Sequence, residues 1–191
     1  MGIRDKLERL VTRLHDAPQY NSQGAVLFVD LEKRQTLKKH LPLDVMRNFL
    51  GGRGANMWLL YNLLEDERAA LDPEIPLIFG AGILTSSMPS ATRGNFSSIS
   101  PESDAILDAN GGDYFPSFLR THGYDHIVMF GRAPSWTLLK IAYDNVELLD
   151  AKPYVGMDNL EIAAAIERDF ECTEREDMAM ARITTAGENQ V

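Results

Sequence analysis

The chain is 191 residues long with a net charge of −9, and 45% of its residues are hydrophobic against 25% charged. That balance is ordinary for a globular protein with one sizeable domain, or two small repeats sharing a core. Net acidity without a basic run argues against nucleic acid and anionic lipid as partners, and no apolar stretch reaches the roughly 20 residues of a spanning helix.

Residues 1–23 form the first predicted segment. Ile3, Leu7, Leu10, Val11 and Leu14 recur at helical spacing among charges, which predicts an amphipathic helix over 3–14 and not a signal peptide. A linker over 17–23 follows. Gly24–Leu31, GAVLFVDL, is a strand, and Gln35–His40 its return partner across Glu32-Lys33-Arg34. Leu43–Leu50 and Ala55–Leu64 are predicted helices, interrupted at Gly51-Gly-Arg-Gly54, where a helix end and turn are expected. Pro76–Gly80 is a short apolar strand.

Further strands are expected at Asn95–Ile99, Ala105–Asp108, His126–Phe130, Thr137–Tyr143, Val146–Leu149 and Met178–Ile183, with a helix over Asn159–Asp169. Grouped strands separated by single helices give an α+β class. The chain stops within the glycine-bearing run Thr184–Val191, so a fragment of a longer protein is expected.

Chemistry-bearing residues are few. Cys172 is the one cysteine; it excludes an internal disulfide, leaves a cytoplasmic location as the default, and reads as a structural thiol among Glu171, Glu174 and Glu176. The four histidines lack metal-ligand spacing, and His122 and His126 read as structural. Asp104 and Asp108 read as carboxylates flanking a strand, Trp58 as core, and Trp136 as a packing or interface anchor. Gly80-Ala-Gly82 follows a strand, but Thr85 stands where a third dinucleotide glycine belongs, so nucleotide binding is kept only as a third reading. Arg93 with Asn110-Gly111-Gly112 is the strongest constellation. An Asn-Gly-Gly turn just ahead of a helix would expose backbone N–H groups to an anion, and Arg93 adds a charge suited to phosphate.

The order of several segments resembles a known family. VLFVDL, FLGGRGANMWLLYNLL, LDPEIPLIFGAGILTSSMPSATRGNFSSISP, ANGGDYF, HGYDHIVMFGRA and TTAGEN, from Gly24 to Asn189, are similar to the N-terminal domain of the aldehyde:ferredoxin oxidoreductases, which are tungsten (or molybdenum) pterin enzymes. The resemblance implies two similar β-sheet halves with interspersed helices over 24–191, forming a base for a bis-pterin cofactor. It implies that Arg93 lies between pterin and an iron–sulfur cluster, and that Asn110 and Gly112 contact the pterin or its phosphate-bound magnesium, with Gly111 as backbone support. The whole enzyme would oxidise aldehydes to carboxylic acids and pass electrons to ferredoxin. The [4Fe–4S] cluster would be held outside this chain, by the remaining domains or a partner subunit, and the resemblance admits a homo-oligomer. The alternative is a non-catalytic paralogue or small subunit, an interaction or cofactor-handling module, whose N-terminal helix docks on a partner.

Overall fold

In a computed structural model, residues 2–20, 23–64 and 68–189 are described. They divide into two compact units, Met1–Ala133 and Pro134–Val191. The class is α+β, as the grouping of strands predicts. Its two sheets are unequal, with six strands in the first unit and two in the second.

The first unit opens with helix α1 (Ile3–Val11), then the hairpin β1 (Ala25–Asp30) and β2 (Gln35–His40). Helices α2 (Leu43–Phe49) and α3 (Gly52–Leu63) follow, then β3 (Leu77–Ala81), β4 (Gly94–Ile99), β5 (Ile106–Gly111), α4 (Phe115–Thr121) and β6 (His126–Phe130). The sheet order is β2-β1-β6-β3-β4-β5, with β1 and β6 parallel and every other pair antiparallel. All six residues of AVLFVD in β1 are buried, as expected for a central strand covered on both faces.

Strand alternation divides the side chains. Val26, Phe28, Ile78 and Val128 join Ala55, Leu59, Leu60 and Leu63 of α3 in one core. On the opposite face Phe79 meets Phe96 in a tilted contact, ring centres 4.7 Å apart, and the edge of Phe115, from α4, at 5.0 Å. The α2–α3 break is built as a helix end followed at once by a helix start. Leu50 caps α2 in the left-handed region (φ 57°), and Gly51 turns the chain at φ 74°.

The expected docking role of the N-terminal helix is corrected here. Ile3 and Leu10 are 2% exposed, and with Leu14 they belong to the same core as α3 and β1. The apolar stripe of α1 is therefore spent inside its own unit and is not free for a partner. His15 extends this attachment by pairing with His40 at the end of β2.

In the second unit, β7 (Thr137–Ala142) and β8 (Asn145–Asp150) form a hairpin across Tyr143-Asp144, with Tyr143 at φ 54°. A 3-10 turn at Lys152–Tyr154 precedes α5 (Asn159–Phe170). Asp158 caps α5 by accepting from Leu160 and Glu161 N–H at 2.8 and 2.9 Å, while Glu161 accepts from Asp158 N–H at 2.9 Å. The strand expected at Met178–Ile183 does not form; Met178 makes an isolated bridge to Glu174, and Arg182 turns its guanidinium to Glu174 and Asn159. A last short helix, α6, spans Thr185–Glu188. Among the described residues, no helix is long and apolar enough to cross a membrane.

Truncating one α1 core side chain tests the corrected role. Leu10→Ala should lower the unfolding free energy by about 2–5 kcal/mol in urea titrations, the range for a buried leucine. Loss below about 0.5 kcal/mol would mean that α1 is peripheral after all.

Candidate functional site

The sequence-predicted residues meet at one edge of the six-stranded sheet, though not as a turn. Asn110 and Gly111 are the last two residues of β5, where Asn110 pairs with Asn95 and Gly111 with Gly94. Neither Gly111 nor Gly112 has positive φ; the left-handed residue is Asp113, at 68°. The expected anion-binding turn at a helix start is thus corrected to the end of a strand, three residues ahead of α4. The register explains the difference. Two glycines opposite one another let the antiparallel ladder run to its last residue, so the Asn-Gly pair that signals a turn in isolation is absorbed into the sheet.

Arg93 immediately precedes Gly94, and Gly112 immediately follows Gly111, so the two flank the same ladder end. Arg93 is exposed and has no ion-pair partner among the described residues. A Cβ added at Gly112 would meet nothing within 4 Å, so the backbone there is open to an approaching group. Gly94 is confined on its other side, where a Cβ would lie 2.3 Å from the Phe79 ring. The neighbouring strand brings a second backbone segment to this edge. Ala81 pairs with Gly94, and Gly82 bridges Gly51 at the start of α3. Leu50, Leu84 and Tyr114, each one or two residues from one of these glycines, stand exposed and give the edge an apolar rim.

Beneath this edge lies a buried polar chain that the sequence did not announce. His126 Nδ1 meets Asn56 Oδ1 at 2.9 Å. Asn56 Nδ2 donates to the Asn95 carbonyl at 2.9 Å and to Asn95 Oδ1 at 3.1 Å, and Ser97 Oγ donates to Asn95 Oδ1 at 2.6 Å. Asn95 Nδ2 reaches across to β5, donating to Asp108 Oδ1 at 2.6 Å and to Asn110 Oδ1 at 3.3 Å. Asp108 closes the line by pairing with Arg53 of α3 at 3.1 Å. The signal was present in Gly80. It lies between Asn95 and His126 in the sheet, and a Cβ there would fall 2.2 Å from Asn56 Oδ1 and 2.4 Å from His126 Nδ1. Gly80 therefore makes room for a hydrogen bond, and the nucleotide reading of Gly80-Ala-Gly82 loses its basis.

Arg120 fixes the loop that leaves β3. Its guanidinium donates to the carbonyls of Gly82, Ile83 and Thr85 and pairs with Asp125 at 2.9 Å. Asp125 in turn accepts from Gly24 and Ala25 N–H at 2.6 and 3.0 Å. One half-turn of chemistry on α4 thus ties the site loop to the start of β1 and β6.

Among the described residues, no cluster of three or more histidine, cysteine or acidic side chains could hold a metal ion. Asp108 serves Asn95 and Arg53, and Cys172 donates to the Phe170 carbonyl in the second unit. What the edge offers instead is open glycine backbone, the cationic side chains of Arg93 and Arg53, amide groups and an apolar rim. Those groups suit an anionic ligand.

Comparison with known proteins gives the family of the chain. The family profile described as the N-terminal domain of aldehyde ferredoxin oxidoreductase matches residues 26–191. A tungsten-containing aldehyde ferredoxin oxidoreductase of Thermococcus kodakarensis is 32% identical over 173 residues, covering 90% of this chain and 28% of the relative. The aliphatic sulfonate oxidoreductase, WOR-like subunit, of Pyrococcus furiosus is 31% identical, covering 90% and 29%. A solved active-site complex BamBC of benzoyl coenzyme A reductase, with bound 1,5-dienoyl-CoA, superposes with a TM-score of 0.75 at 30% identity, over 78% of this chain and 23% of that one. The chain belongs to the aldehyde ferredoxin oxidoreductase N-terminal domain family, and it spans less than a third of the length of these relatives.

Two measurements test the geometry. Arg120→Ala should cost about 3–5 kcal/mol of stability, because it leaves the Asp125 carboxylate buried and unpaired; a cost under 1 kcal/mol would show that the pair is dispensable. Burial pushes the His126 imidazole down to about 4 from its ordinary value of 6.5. Its contribution is complete above pH 6.5 and is lost as pH falls toward 4, because only the unfolded chain takes up the proton in that interval. The unfolding free energy should drop over this window with a slope approaching 1.4 kcal/mol per pH unit from this one residue. A ring that titrates near 6.5 in the folded protein, followed by NMR, would contradict it.

Proposed function

We propose that this chain is the cofactor-binding N-terminal portion of a tungsten (or molybdenum) pterin oxidoreductase. The whole enzyme would oxidise an aldehyde to a carboxylic acid and deliver electrons to a ferredoxin-type carrier. The observation that carries the reading is the meeting of Arg93, Asn110, Gly111 and Gly112 at one ladder end, within a chain matched to this family along residues 26–191. When bound, the metal–pterin group supplies the two-electron oxidation. A guanidinium with no ion pair among the described residues, an open glycine backbone and an apolar rim fit that group.

The residues of this chain have binding work and no bond-making work. Arg93 neutralises negative charge on the pterin or its phosphate, and can do so without first breaking an ion pair to any described residue. Gly112, lacking a side chain, lets the backbone come into contact with the phosphate end. Gly111 extends the ladder that holds Gly112 in place. The buried amide chain and Arg120 keep the edge from shifting as the ligand binds. A magnesium ion accompanying the cofactor would supply further neutralisation of phosphate charge there. The [4Fe–4S] cluster would need about four thiolates, and this chain has only Cys172, so further domains or a partner subunit would supply them.

The scaffold admits further substrate classes, since relatives named for an aliphatic sulfonate and for benzoyl coenzyme A share it. The site described above is a cofactor base and does not distinguish among substrates.

The test uses the full-length protein purified from its native cells. Tungsten or molybdenum should be present together with several irons, and Arg93→Ala should lower the retained metal and pterin about tenfold while changing stability by less than about 0.5 kcal/mol. Full metal and pterin content in the Arg93→Ala protein would remove the arginine from the site. Metal-free but folded wild-type protein would leave a non-catalytic module as the better reading.

A further inference from the structure

Amide orientations along the buried chain can be fixed from groups whose hydrogen-bonding role has no alternative. The Asn95 backbone carbonyl can only accept, so the Asn56 atom 2.9 Å from it is the donor Nδ2. Asn56 Oδ1 then faces His126, and His126 Nδ1 must carry the hydrogen. On the next step, the Asp108 carboxylate and the Ala109 carbonyl both accept from the same side-chain atom of Asn95, at 2.6 and 3.3 Å, so that atom is Nδ2. The same nitrogen lies 3.3 Å from Asn110 Oδ1, a third acceptor sharing its two hydrogens. Donors therefore run in a single direction, from His126 through Asn56 and Asn95 to Asn110.

The consequence falls on Asn110 itself. With Oδ1 turned inward toward Asn95, its Nδ2 group points away from the sheet interior, on an exposed side chain next to Gly111 and Gly112. We propose that Asn56 and Asn95 are positioning residues that turn the Asn110 amide outward as a hydrogen-bond donor to an anionic oxygen of the bound cofactor, and not as an oxygen ligand to a phosphate-bridging magnesium. The inference rests on the cofactor-base reading above and assigns an atom and a role within it. A magnesium ion at this edge would then be held by phosphate, backbone carbonyl or water oxygens, because the side-chain oxygen of Asn110 faces Asn95. Gly80 is the structural condition for the arrangement, since any side chain there would displace Asn56 from His126.

The two roles for Asn110 give opposite signs in one substitution. Asn110→Asp swaps the outward donor for a second acceptor oxygen while keeping the shape. In the full-length protein, tungsten, molybdenum and released pterin are measured after exhaustive dialysis, with the melting temperature as a check on folding. A donor role lowers retention roughly tenfold or more, the effect of losing a hydrogen bond to a charged group. A magnesium-ligand role raises or preserves retention, because a carboxylate binds that ion better; that result overturns the proposal. Asn95→Asp should lower retention as well, and in the Asn110→Asp background it should cause no additional loss, since Asn95 acts through Asn110. Additive losses would assign Asn95 a purely structural role and overturn the positioning claim. If Asn95→Asp fails to fold, Asn110→Asp on its exposed side chain still decides the matter. Retention unchanged in Asn110→Asp but lost in Arg93→Ala refutes this proposal and leaves the cofactor base standing. Retention unchanged in both refutes the two together.

Discussion

A missing side chain at Gly80 is the constraint on which this edge of the molecule depends. Its position between Asn95 and His126 leaves just enough space for Asn56 to descend from α3 and bridge both strands. That bridge sets the distance between α3 and the sheet, and with it the placement of Gly51 against Gly82 and of Arg53 against Asp108. A purely apolar contact here would pack as well but would specify no orientation. A hydrogen-bonded one fixes both the separation and the direction of every amide along it.

The cost of that specification is visible in His126. Its ring is fully buried, held neutral by desolvation, and its Nε2 has no hydrogen-bond partner among the described residues. Leaving one acceptor unsatisfied in the interior costs stability, and the surrounding leucine-rich contacts of α3 and the inward stripe of α1 offset it. Arg120 and Asp125 act on the other side of the sheet end, where they tether the loop of 82–85 to β1 and β6. Two polar devices thus grip the same edge from different directions. Between them lie Arg93, Gly94, Gly111 and Gly112, whose backbone is kept open by what its neighbours already hold.

Most elements were legible because they carry strong local signals. The apolar run of β1, the return strand at Gln35–His40, the His126–Phe130 strand and helix α5 follow from hydrophobic period and β-branched content. The failures share one cause, pairing between distant segments. Asn110-Gly111 looks like a turn until Gly94 is found opposite, and Met178–Ile183 looks like a strand but meets no partner strand among the described residues. The docking role expected for α1 fails likewise, because an apolar stripe in a sequence does not say which surface covers it. At the site, Arg93 and Asn110-Gly111-Gly112 were visible as an anion-suited set, yet Asn56, Asn95 and Arg120 were not. An asparagine in a helix and another in a strand carry no motif; only the register of β3, β4 and β6 brings them together.

A structure of the full-length protein with its cofactor bound tests the central claim most directly. A pterin phosphate oxygen within hydrogen-bond distance of the Arg93 guanidinium and the Gly112 backbone, with Asn110 Nδ2 facing the cofactor, is the expected result. A cofactor seated elsewhere, with this ladder end exposed to solvent, would contradict the account.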